Sequence, residues 1–220
     1  MDSITASIAV PSDIDEMFEF MMSDFLLNES LNGALQLKRN ECEQFFTALI
    51  RKAVSSGTCV ILRSNTEKGR VVGMRLSAFE ERGVKEEGDE NENVQYSEKA
   101  QLIGDLLEKV SEKKWEKIPS DINKVFYIIV ITVSKDYTRR GLGKVLLEYG
   151  MDDVIARGAK GILSEATARN SQMLFAKLGY SILNEIHHSQ HLNENGERIF
   201  NCPDGTDTAK LVFRRIDPST

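Results

Sequence analysis

The chain has 220 residues, 41% of them hydrophobic and 28% charged, with a formal net charge of −6. That length fits one domain of ordinary size, and the composition fits a folded, soluble chain rather than a disordered one. The acidic balance excludes a global basic field, and no apolar run reaches the roughly 18 residues of a membrane span, so neither nucleic acid nor membrane is expected as a partner.

The first element, ITASIAV (4–10), is short, β-branched and alternating, and predicts a strand. The opening MDSITASIAVPSDIDEM lacks a basic region and an apolar core, so no secretory leader is expected. Pro11-Ser12-Asp13 offers a turn and an N-cap for a helix with Met17, Phe18, Phe20, Met21 and Phe25 on one broad face. Residues 26–35, LLNESLNGAL, read as a loop. A second helix is predicted over 40–55, with Phe45, Phe46, Leu49 and Ile50 inward. Residues 58–64 and 70–80 read as strands joined by NTEKG. Seven acids against two bases fall in 80–92, nearly the whole net charge, and predict a solvated acidic loop reaching to about 96.

Leu102, Ile103, Leu106, Leu107 and Val110 give 97–115 a helical period, and KVFYIIVITV (124–133) reads as a buried strand. A helix over 141–157 turns Leu142, Val145, Leu146, Tyr149 and Val154 inward. A strand (160–167), a helix (169–179) stopped by Gly179, a strand (180–186), a polar loop and a last strand (209–216) complete the chain. No repeat or linker divides it. The expectation is one α/β (α+β) domain over 1–220, with a single mixed sheet of about seven strands and helices on both faces.

Cys42, Cys59 and Cys202 are scattered and form no CxxC pair, which argues against a zinc site or disulfide framework and for a reducing, cytoplasmic compartment. His187, His188 and His191 lack a neighbouring Cys or acid at ligand spacing and read as a surface loop. No metal is expected, and nothing in the sequence specifies a base for Cys202.

The junction at Thr138-Arg139-Arg140-Gly141-Leu142-Gly143-Lys144 carries the chemistry. A strand feeding a helix through glycines aims unpaired N–H groups at one point, and the nearby cations suit a pyrophosphate. A tight strand-to-helix turn with an exposed basic edge fits the same spacing. Neither a P-loop nor a dinucleotide fingerprint is present.

Thr138 to Gly143 resemble the (Gln/Arg)-x-x-Gly-x-(Gly/Ala) loop of the GNAT superfamily of N-acetyltransferases, with Thr138 in place of the long donor. SQMLFAKLGY (171–180) is similar to that family's following helix, with Phe175 where many members have a proton-donating tyrosine. The resemblance implies the GNAT fold, with splayed central strands and acetyl-CoA as cosubstrate. It places the cosubstrate on Ile131, Thr132 and Val133 and on Thr138, Arg139, Arg140, Gly141, Leu142, Gly143 and Lys144.

DFLLNESLNGALQL (24–37) resembles a segment of the invertebrate-type arylalkylamine (dopamine and serotonin) N-acetyltransferases, matching at Glu29, Leu31 and Asn32 and departing at Asn28 and Ser30. That branch implies Glu29 as general base. It also implies a Ser-x-x-x-Ser pair near the thioester, here Thr167 and Ser171, as proton donor to the leaving thiolate. From the residues alone Glu29 is equally a solvated loop acid or a helix cap. An ammonium must lose a proton before attacking a thioester, and a partly buried carboxylate suits that step. Alternative expectations are another amine (polyamine, amino acid or protein N-terminus) or a catalytically weak CoA-binding module.

Overall fold

The computed structural model describes residues 3–84 and 96–216. Most of the acidic loop expected at 80–96 therefore lies outside the described residues. Strand β1 (Ile4–Ile8) is followed by helix α1 (Ile14–Phe20), a wider π-helical turn over Met21–Phe25, and the short helices α2 (Leu26–Asn28) and α3 (Ser30–Leu35). Helix α4 (Arg39–Ser55), β2 (Val60–Ser64) and β3 (Val71–Glu81) come next. Then follow α5 (Glu98–Ser111), α6 (Lys114–Lys117), β4 (Lys124–Val133), α7 (Leu142–Glu148), α8 (Met151–Ala156), β5 (Gly161–Ala166), α9 (Arg169–Lys177), β6 (Ser181–His187) and β7 (Thr208–Arg215).

The seven strands form one mixed sheet in the order β1-β2-β3-β4-β5-β7-β6, with β4 and β5 its parallel pair. All seven strands read from the sequence are present. β-Branched alternation separates the two faces. Met74 and Leu76 of β3 pack with α1 and α4, and Val125 and Leu163 pack with α5. On the opposite face Phe126, Ile128 and Ile162 meet Val154 of α8 and Phe175 of α9, while Leu142 and Leu146 of α7 cover β2.

One irregularity positions the site. The β3–β4 register shifts between Leu76 and Ser77, leaving Ile129 as the extra residue of a bulge. Parallel pairing of β4 with β5 runs from Val125–Gly161 to Ile128–Ser164 and stops there, although β4 continues to Val133. A bulge bends its strand and increases the local twist, so β4 turns away from β5 at that point. This is the splay expected between the central strands.

Three expectations are corrected. Residues 26–35 are helical, broken only at Glu29 (φ −75°, ψ 140°). The helix expected over 141–157 is two helices, divided at Tyr149-Gly150, where Gly150 takes φ +74°. That break turns Leu147 inward and leaves Val145 and Tyr149, expected inside, exposed. His188 is fully buried, packed on Phe200 with its Nδ1 3.6 Å from Cys202 Sγ, because the polar loop folds back under β7. Among the described residues no helix is long and apolar enough to cross a membrane.

Candidate active site

A cavity of about 540 Å³ opens on the α4–α5 face, over the point where β4 and β5 part. Phe25, Phe45, Phe46 and Leu49 form an apolar wall, with Ile103 and Leu107 of α5 opposite. Phe45 and Leu49, expected inward, are only half-buried because they face this space. Glu29, Thr167 and Glu165 supply polar groups along its floor.

Glu29 owes its placement to the break between α2 and α3. Its own N–H still donates to Phe25 O (2.9 Å), while its carbonyl accepts from Gly33 N. Its side chain caps α3, accepting from Asn32 N at Oε2 (2.8 Å). The cap leaves Oε1 to accept from the Thr167 hydroxyl at 2.9 Å. Burial pushes the Glu29 carboxyl above its ordinary value against the hydrogen bonds from the Asn32 and Leu31 backbone and from Thr167; the Asp204 charge pushes the same way as burial. One half-buried side chain thus caps a helix and presents its second oxygen to Thr167. Asn32 lines the same cavity, and its amide Nδ2 is buried with no hydrogen-bond partner among the described residues.

Asp204, which drew no attention in the sequence, ties three segments together. Its Oδ2 accepts from Ser30 Oγ (2.6 Å), Arg169 N (2.8 Å) and Thr206 Oγ1 (2.7 Å). Ser30 adjoins Glu29 and Arg169 opens the helix after Thr167, so this carboxylate fixes the two ends of the Glu29–Thr167 contact. Burial would raise the Asp204 carboxyl, but the bonds from Ser30, Arg169 and Thr206 outweigh it and hold it low. Ser30, a departure from the arylalkylamine segment, here supplies the donor.

Thr167 and Ser171 are not equivalent. Ser171 Oγ donates to Ala168 O (2.8 Å), within the first turn of α9, whereas Thr167 points to Glu29. Ile131, Thr132 and Val133 pair with Arg75, Met74 and Gly73 of β3, on the stretch of β4 that has left β5.

The loop 138–144 joins β4 to α7 on the other face. Thr138 Oγ1 donates to Lys135 O (3.1 Å), and Arg140 lies over the Tyr137 ring, 4.5 Å from its centroid. Arg139 adopts φ +60° and Gly141 φ +80°, and a Cβ at Gly141 would meet nothing within 4 Å. The main chain at Gly141 is thus open to solvent, with cations beside it, as close approach of an anion requires. Gly143 serves packing instead, since a Cβ there would lie 2.9 Å from Leu174 Cδ2 of α9. Leu142 is buried, and Lys144 pairs with Glu148 at 3.6 Å.

Two further charged side chains were missed in the sequence, one half-buried and one fully buried. Glu165 accepts from Ser111 Oγ and Tyr127 OH, and burial raises its carboxyl despite those bonds. Arg75 is fully buried on β3, where burial lowers it to about 10. It donates to Thr58 O (2.9 Å) and to Leu146 O and Tyr149 O at the end of α7. Among the described residues no cluster of three metal-ligating side chains is present. Burial pushes the Cys202 thiol up to about 12, which suits a structural thiol rather than a nucleophile.

A sequence profile described as the acetyltransferase (GNAT) family matches residues 35–180. It takes in the loop 138–144, Thr167 and Ser171 but not Glu29. No curated protein matches the chain. Among solved structures, arylalkylamine N-acetyltransferase 2 from Aedes aegypti superposes with a TM-score of 0.83 at 24% identity, covering 98% of this chain and 100% of that one. Mosquito arylalkylamine N-acetyltransferase like 5b gives 0.78 at 19% identity, with 97% and 100% covered. The Drosophila melanogaster polyamine N-acetyltransferase gives 0.75 at 16%, with 97% and 100% covered. At such identities these likenesses show a shared fold.

Proposed function

The chain belongs to the acetyltransferase (GNAT) family, enzymes that draw an acetyl group from acetyl-CoA, and from that premise we propose that its acceptor is the primary amine of a small arylalkylamine of the dopamine, serotonin or tryptamine type. The observation that carries this reading is Glu29: a half-buried carboxylate, fixed by a helix cap and by Thr167, on the floor of a cavity walled by Phe25, Phe45 and Phe46. Aromatic walls favour an aryl group, and a carboxylate raised by burial is suited to take the ammonium proton.

Acetyl-CoA supplies the acetyl thioester. In this reading Ile131, Thr132 and Val133 offer backbone to its arm along the freed edge of β4, and residues 138–144 hold its diphosphate. Glu29 accepts the ammonium proton, and the second N–H proton, freed as the amide forms, passes to solvent. Thr167 then hands its hydroxyl proton to the departing thiolate and regains one from Glu29 across the 2.9 Å bond, so that both side chains end as they began. Ser171 is the alternative donor, at the first turn of α9. Transfer is direct, with no acetylated side chain, and the reaction is assigned to the cytoplasm on the scattered cysteines.

A second reading, a diamine or polyamine acceptor, draws on the acids Glu29, Glu108 and Glu165 that line the cavity. A thiol-release assay over a panel of amines tests both. Turnover of tryptamine or dopamine is expected; turnover confined to polyamines would replace the first reading with the second. Binding of CoA with no turnover of any amine would leave only a CoA-binding module.

A further inference from the structure

We propose that Glu165 is a second anchor in the acceptor cavity, and that the amine acetylated by this chain carries a hydrogen-bond donor at the end remote from its reacting nitrogen, either a ring hydroxyl or a second ammonium. This rests on the reading of the cavity as the acceptor site, and it adds a requirement which that reading does not contain.

The chemistry assigned to the site uses Glu29 and leaves Glu165 without a task. Glu165 lies on β5 and Thr167 is the residue just past its end, two positions on, so at strand spacing their Cα atoms are about 7 Å apart. Both line the cavity. Thr167 grips Glu29, so the second carboxylate stands one strand repeat from the reacting end, a span that a phenylethylamine or a short diamine bridges.

Glu165 is also held as a receptor would be. Ser111, at the last turn of α5, donates to Oε1, and the Tyr127 phenol on β4 donates to Oε2. An ionised carboxylate offers about four acceptor positions, so two are left for a ligand. Among the described residues no Lys or Arg forms an ion pair with it. Lys114 pairs with Glu80 (2.5 Å) and lies over the Tyr127 ring; its charge favours the Glu165 anion and that of Glu80 opposes it. A half-buried carboxylate on a cavity wall with no cation bonded to it is costly to folding. A donor on the substrate offsets that cost only when bound, which is how a buried polar group rejects ligands that lack the matching donor.

Calorimetric titration of the full chain, with CoA present, tests the anchor using two matched pairs: tyramine against phenethylamine, and cadaverine against pentylamine. In one pair the donor-bearing amine should bind about tenfold tighter, the difference expected of a hydrogen bond to a charged acceptor. In Glu165→Gln that margin should shrink to about threefold or less, with the plain amine unaffected. The tyramine pair showing the margin identifies a hydroxyl; the cadaverine pair identifies an ammonium. Equal affinity within both pairs in the wild type, or an undiminished margin in the variant, overturns the proposal. Should Glu165→Gln fail to fold, Glu165→Asp, which withdraws the carboxylate by one methylene, replaces it with the same two outcomes. Acetylation assayed in parallel separates the two readings. Discriminating binding without turnover sinks the proposed activity and keeps the anchor, and turnover without discrimination does the reverse.

Discussion

At the scale of single residues, Glu29 is asked to do two things that conflict. As a helix cap it is best ionised, and as a buried group it is best neutral; the raised carboxyl records that burial dominates. Glu29→Gln should keep the cap geometry and lower kcat/KM at neutral pH by about 10²–10⁴, the usual worth of a positioned base. The loss should narrow as rising pH supplies free amine, and an unchanged profile across pH 6–9 would remove Glu29 from the chemistry. The stability effect has the opposite sign. With a folded value above the unfolded 4.5, the native chain holds the proton longer, so the stability that Glu29 contributes is full below 4.5 and is lost as pH climbs through the folded value. Glu29→Gln does not titrate, so it should raise Tm near neutral pH, by about 2–4 °C for each kcal/mol relieved, and this advantage should vanish below about pH 4. Thermal scans at the two pH values check it.

At the scale of elements, the site is made by interruptions. Asn28 closes α2 by donating to Asp24 O, Glu29 leaves helical geometry, and Ser30 starts α3 while reaching to Asp204. Asp204→Ala should therefore loosen both ends of the Glu29–Thr167 contact. It is exposed enough for water to replace part of what is lost, so the expected cost is about 1 kcal/mol in stability, with a larger fall in kcat than rise in amine KM. A variant with wild-type kcat would show that the clamp is idle. The loop before α7 makes a complementary case. Gly141→Glu places a side chain at φ +80° and a negative charge on the loop, and should weaken CoA binding at least tenfold by calorimetry while leaving amine binding intact. Unchanged CoA affinity would relocate the diphosphate.

At the scale of the molecule, the sheet separates two workspaces and the splay between β4 and β5 joins them. The cavity lies with α4 and α5, and the glycine loop leads into α7 on the other side. Arg75 fixes that second layer to the sheet: from β3 it caps the carbonyls of Leu146 and Tyr149, where α7 ends early, and covers Phe126. Arg75→Met would strand those carbonyls in a dry interior, at about 3–5 kcal/mol, a loss visible as a lower denaturant midpoint. A change below about 1 kcal/mol would mean that α7 is held by its apolar face alone.

The sequence determined the seven strands, because a two-residue period written in β-branched residues leaves little choice of face. It also singled out the glycine junction and Glu29 through short local patterns, although the Thr167 partner of Glu29 lies 138 residues away. Helix breaks were harder to read. LLNESLNGAL has too few polar stops for a loop and too many for one helix, and only the bond from Ser30 to Asp204, 174 residues away, decides between them. Val145 and Tyr149 continue a helical period that Arg75 and Gly150 cut short. Glu165, Arg75, Asp204 and His188 carry no signal of their own. A charged or polar residue within an apolar strand or a polar loop becomes an anchor only when distant segments supply its partners, and those meetings are set by tertiary packing.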